Sequence, residues 1–167
     1  MRVLVTGAAN PYGTAVANAL VKAGHSVRAF GVPAGEDPFH GASGIECYPG
    51  DIAAGGSVEP VASECQAFVH CSNLDAPAKD KAAHAVHIER GTRYARYSAE
   101  RETVNLFLAL SPTAPARTWS EVLKQAEAHV AATRSLVPHA VIKVASPDEA
   151  AKQVVSAVGK VVVTAKA

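Results

Sequence analysis

Apolar and polar positions along this chain switch repeatedly between a short apolar run and a helical spacing, and the switches mark out its elements. Val3, Leu4 and Val5 are consecutive and apolar with no charge among them, the pattern of a parallel strand buried on both faces. Turn residues follow at once. From Pro11 the spacing becomes helical, with Val16, Leu20 and Val21 on one face and Gly24 as the stop. Further strands are expected over Ser26–Phe30, Ile45–Tyr48, Ala67–Cys71, Val104–Leu110, Pro138–Val144 and Val161–Val163. Helices are expected over about Lys79–Glu100, around Ser120–Glu127 and from Ser146-Pro147-Asp148-Glu149, where a Ser cap precedes acids in the first turn. Strands alternating with helices predict an α/β fold: a Rossmann-type doubly wound parallel sheet in a three-layer α/β/α sandwich of about seven strands.

At 167 residues the chain suits one domain, 1–167, with a proper core. Lys plus Arg number 16 against 15 for Asp plus Glu, so no general field draws in nucleic acid or an anionic membrane, and neither is expected as a partner. Cys47, Cys65 and Cys71 form an odd set without a C-x-x-C pair, which fits a reducing cytoplasm. No apolar run approaches the roughly 20 residues of a membrane helix. Hydrophobic residues make up 49% but aromatic ones only 5%, so the expected core is built from Ala, Val and Leu.

The candidate chemistry begins at the first turn. Gly7 stands where the chain turns tightly after the strand, and Gly13 where the helix backbone must approach it. Strand, glycine turn and helix together aim backbone N–H groups and a helix dipole at a pyrophosphate. Thr6-Gly7-Ala8-Ala9-Asn10-Pro11-Tyr12-Gly13 resembles the T-G-x-x-G-x-x-G motif of short-chain dehydrogenases/reductases, with Asn10 in place of the middle glycine. The resemblance implies a site for NAD or NADP, with Gly7, Ala9, Asn10, Pro11, Tyr12 and Gly13 around the phosphates. The second strand ends Arg28-Ala29-Phe30-Gly31, with no acid for a ribose and no basic residue directly after it; Arg28 is the candidate for a phosphate if its side chain turns that way.

Downstream the likeness is to the extended, NAD-dependent epimerase/dehydratase branch. Gly50-Asp51-Ile52 is similar to the triplet whose Asp binds adenine; the local alternative for Asp51 is a helix cap. His70-Cys71-Ser72-Asn73 matches the stretch that runs along the cofactor, which makes Cys71, Ser72 and Asn73 candidate contacts. Cys71 otherwise reads as a core hydrophobe. His84 and His87 have metal-ligand spacing but no third ligand, so no metal is expected. Gly91-Thr92 resembles the pair in the family's fourth helix, and Arg93, Tyr94, Arg96 and Tyr97 make that helix (79–100) a candidate homodimer surface.

The resemblance also implies an active site with a Ser or Thr after the fifth strand and a Tyr-x-x-x-Lys pair on the next helix, with the Lys lowering the pKa of the Tyr hydroxyl. Ser111 matches the first. Trp119 and Leu123 stand in place of the Tyr and Lys, and an indole N–H cannot exchange a proton at neutral pH. Lys124 is one residue away and about 100° around the helix. The family's substrate-binding C-terminal region is expected to be largely missing. Three readings stay open: a nucleotide-sensing or partner-binding protein without the catalytic pair, an oxidoreductase or epimerase using Tyr12, His70 or Lys124, and a scaffold with an empty cleft.

Overall fold

The computed structural model describes residues 1–132 and 135–166. Six parallel strands, β1 (Arg2–Thr6), β2 (Ser26–Phe30), β3 (Ile45–Tyr48), β4 (Ala67–His70), β5 (Leu106–Pro112) and β6 (His139–Val144), form one sheet in the order β3-β2-β1-β4-β5-β6. The chain runs outward from β1 in one direction to β3 and then returns to build the other half from β4. The crevice at the carboxyl ends of β1 and β4 is therefore the switch point at which such sheets bind ligands.

Five helices cover the sheet: α1 (Pro11–Lys22), α2 (Glu59–Ala62), α3 (Lys81–Arg101), α4 (Ser120–Ala131) and α5 (Pro147–Lys166). Strand parity divides the core. Val3, Val5, Val27, Ala29, Val69 and Leu108 point to the layer with Val16 and Leu20 of α1 and Val154 and Val158 of α5. Leu4, Phe30, Phe68 and Phe107 point to the opposite layer, with Ala95 and Ala99 of α3. Because strand side chains alternate, β1 is buried on both faces, as its apolar run implied.

The strand expected at 161–163 is instead the continuation of α5. Ala150, Val154 and Val158 repeat every four residues on the buried face, and the β-branched run that follows continues that helix. The start of α5 is as expected, with Ser146 Oγ accepting the Glu149 N–H at 3.2 Å. On α3, Asp80 caps the first turn by accepting from Ala82 N and Ala83 N. Tyr94 turns inward against Gly55, and Arg96 binds Glu100 and the His129 carbonyl, so of the four candidate surface residues Arg93 and Tyr97 remain outward. No helix of the described residues is long and apolar enough to cross a membrane.

Candidate functional site

The turn after β1 is held by contacts that admit no side chain. Gly7 has φ +65°, and a β-carbon there would stand 2.7 Å from Ser72 N; one at Gly13 would stand 2.1 Å from Gly7 O. The two glycines thus let α1 sit directly on the turn, and the turn on the backbone that follows β4.

Beside this turn lies a cleft of about 350 Å³, lined by Gly7, Ala9, Asn10, Phe30, Gly31, Gly50, Asp51, Ile52, Ser72, Asp75 and His87. It holds residues from the ends of β1, β2, β3 and β4 and from α3. Six of the residues anticipated from the sequence line it: Gly7, Ala9, Asn10, Asp51, Ile52 and Ser72. Pro11 and Gly13 belong to the first turn of α1, and Tyr12, in the same turn, packs against the core layer that holds Val16 and Leu20. Cys71 is fully buried, and burial pushes its thiol well above the usual range. Its backbone carbonyl, not its sulfur, takes part in the site by accepting from Asn10 Nδ2 at 3.0 Å.

Arg28 is not in the cleft. Its side chain shares the face of β2 that carries Phe30 and runs beneath α2, where Nη1 donates to the carbonyls of Val61 (2.9 Å) and Ser63 (2.6 Å). Asn73 is also turned inward, its Oδ1 accepting from Thr92 Oγ1 at 3.2 Å and lying 3.3 Å from His70 Nε2. An acceptor at Asn73 assigns the ring proton of His70 to Nε2 and leaves Nδ1 to accept the Thr6 hydroxyl, 2.8 Å away. Desolvation lowers the His70 pKa to about 4, so the ring is neutral at ordinary pH.

A chain of side chains crosses the cleft that sequence reasoning missed. Asn10 Oδ1 accepts the Gly13 N–H at 2.8 Å and so caps α1, while its Nδ2 donates to Asp75 Oδ1 at 2.7 Å. Asp75 Oδ2 meets His87 Nε2 at 2.8 Å, and His87 Nδ1 lies 3.6 Å from Asp51 Oδ1. The hydrogen bond that His87 Nε2–H donates to Asp75 raises the His87 pKa, reinforced by the charges of Asp75 and Asp51. Asp51 has the capping role left open above, Oδ1 accepting from Ala53 N at 2.9 Å, yet its side chain is 63% exposed at the cleft rim. Both readings of Asp51 are therefore compatible with one carboxylate.

The expected catalytic positions lie elsewhere. Ser111 is buried and donates to Glu127 Oε1 at 2.5 Å, and Lys143 pairs with the same carboxylate. Leu123 is buried with Ile88 and Ala126, and Trp119 packs on this cluster with its ring edge-on to His84 at 4.4 Å. None of Ser111, Trp119, Leu123, Lys124, Tyr12 and His70 lines the cleft. His84 and His87 are stacked with centroids 6.2 Å apart, and no group of three metal-binding side chains occurs among the described residues.

No family model matches the sequence, and no curated protein matches it. Solved structures do. The Bordetella bronchiseptica enzyme WbmG in complex with NAD superposes with a TM-score of 0.70 at 19% identity, over 86% of this chain and 52% of that one. UDP-glucose 4-epimerase from Thermotoga maritima, with UDP-glucose, gives 0.69 at 15% identity, over 86% and 55%. A short-chain dehydrogenase/reductase superfamily protein from Agrobacterium tumefaciens with bound NAD gives 0.71 at 20% identity, over 86% and 48%. The fold is thus the one anticipated, and the chain spans about half the length of these proteins.

Proposed function

We propose that this chain is an atypical extended short-chain dehydrogenase/reductase domain whose cleft binds an adenosine-bearing ligand, and that it senses that ligand or presents it to a partner rather than performing hydride transfer. The observation that carries this reading is the cleft at the switch point, whose wall includes Gly7, Gly31, Gly50, Asp51 and Ile52. A flat heteroaromatic ring can lie against such a wall, with an amino group donating to Asp51, whose Oδ2 has no hydrogen-bond partner among the described residues.

The residues present fit only part of a nicotinamide dinucleotide. The adenosine end is accommodated. Along the phosphate passage Pro11 has no N–H, Asn10 Oδ1 occupies that of Gly13 and Asn10 O that of Thr14, which leaves Tyr12 in the first turn of α1. At the reacting end, the place of the expected Tyr and Lys holds Trp119 and the buried Leu123, so these two positions supply no proton-transfer step. Among the described residues no Lys or Arg lines the cleft, which argues against a 2′-phosphate and hence against NADP.

Calorimetric titration with NAD, NADH, NADP, NADPH and adenosine tests the reading. Binding of adenosine or an adenine dinucleotide at micromolar to low-millimolar concentration, without turnover, is the expected result; no binding of any of the five sinks it. Val86 and Tyr97, 45% and 53% exposed, lie on one stripe of α3 three turns apart, which favours self-association through that helix. Sedimentation of Tyr97→Asp should then show a monomer where the parent shows a dimer.

A further inference from the structure

We infer that the cleft discriminates among adenosine derivatives by the charge at the 5′ position, taking adenosine with an uncharged 5′ group in preference to 5′-diphosphate derivatives such as ADP-ribose and NAD. The inference rests on the adenine reading above and deepens it. Its basis is the Asn10–Asp75–His87 chain, which lies where the diphosphate of a Rossmann ligand would pass between the first turn of α1 and the backbone after β4.

Three features of that chain act against a diphosphate. First, the groups that would receive it are already engaged: Asn10 holds the Gly13 N–H with its oxygen while its nitrogen is bound to both the Cys71 carbonyl and Asp75. Entry of a phosphate would break these bonds before making its own. Second, Asp75 places a carboxylate in the passage, held from both sides by Asn10 and His87 with only 28% of its side chain exposed. Third, the charge does not cancel. Asp51 and Asp75 share one imidazole, and among the described residues no Lys or Arg lines the cleft, so even with His87 fully protonated this lining keeps one net negative charge. Like charges repel most where water is partly excluded, as it is in such a cleft. An uncharged nucleoside meets none of these obstacles and still has Asp51 as a hydrogen-bond acceptor.

The test compares adenosine, AMP and ADP-ribose binding to the parent chain and to Asp75→Asn and Asn10→Gly by calorimetry at pH 8. The parent should bind adenosine at least tenfold more tightly than ADP-ribose, with AMP between. In either variant the ratio should fall at least fivefold, since Asp75→Asn removes the charge and Asn10→Gly frees the Gly13 N–H and opens the passage. ADP-ribose bound by the parent as tightly as adenosine overturns the discrimination and leaves the adenine reading standing. Failure of all three ligands to bind overturns both. The parent's order of affinities decides the matter even if a variant does not fold.

Discussion

Single residues in this molecule carry opposite debts to pH. His70 is buried between Thr6 and Asn73 with its pKa lowered to about 4, against about 6.5 in the unfolded chain. The unfolded state therefore takes up the proton first, so the stability His70 contributes is present above pH 6.5 and is lost as the pH falls toward 4, on the order of 3 kcal/mol in all. His87, raised by Asp75, has the other sign: its contribution is complete below pH 6.5 and disappears as the pH rises through its folded-state value. Urea unfolding across pH 4 to 8 should show the gap between the parent and His70→Gln widening with pH, and the gap between the parent and His87→Gln narrowing. Gly7→Ala should cost about 2–4 kcal/mol in the same assay, because φ +65° and a backbone nitrogen 2.7 Å from the new carbon leave it no relaxed position. A loss below about 1 kcal/mol would mean that the turn is not as tight as described. Of these residues the glycines were legible in sequence, since a turn between strand and helix demands them. The Asp75–His87 pair was not: the partners come from different elements, and only the rule that residues just past a strand's carboxyl end face the cleft would have flagged Asp75.

At the scale of elements, period decided what could be read. β2 and β3 have the bounds expected of them, and β1 could be read as buried on both faces because its run has no polar gap. Position along a strand was legible, but orientation was harder: Arg28 on β2 shares parity with Phe30 and so passes beneath α2 instead of entering the cleft. Arg28→Met should accordingly leave any preference between NAD and NADP unchanged while lowering stability by about 1–3 kcal/mol, as the carbonyls of Val61 and Ser63 lose their donor. A changed cofactor preference would place the guanidinium at the site after all. The end of α5 misled for the reverse reason, because a β-branched triplet read as strand is helical when the preceding turns bury Ala150, Val154 and Val158 in register. The pairing of α3 with α4 through Ile88, Leu123 and Ala126 also explains why a Lys would not be tolerated in place of Leu123. That change would bury an ammonium in an apolar cluster.

For the whole molecule, sheet order and the candidate site meet at one place. The order β3-β2-β1-β4-β5-β6 puts its switch point between β1 and β4, and the cleft found there gathers residues from four strand ends and α3. The alternation of elements made this architecture legible, whereas the hydrogen bond beside the first turn of α1 joins side chains 65 residues apart, Asn10 and Asp75, and only the folded chain brings them together. The central claim is that this cleft, and no other part of the surface, recognises adenosine. Amide chemical-shift mapping of the isotopically labelled chain with adenosine tests it directly. The account predicts saturable shifts at Gly7, Gly31, Gly50, Asp51 and Ile52, with α4 and β6 silent. Shifts confined to other elements, or none up to millimolar adenosine, would contradict it.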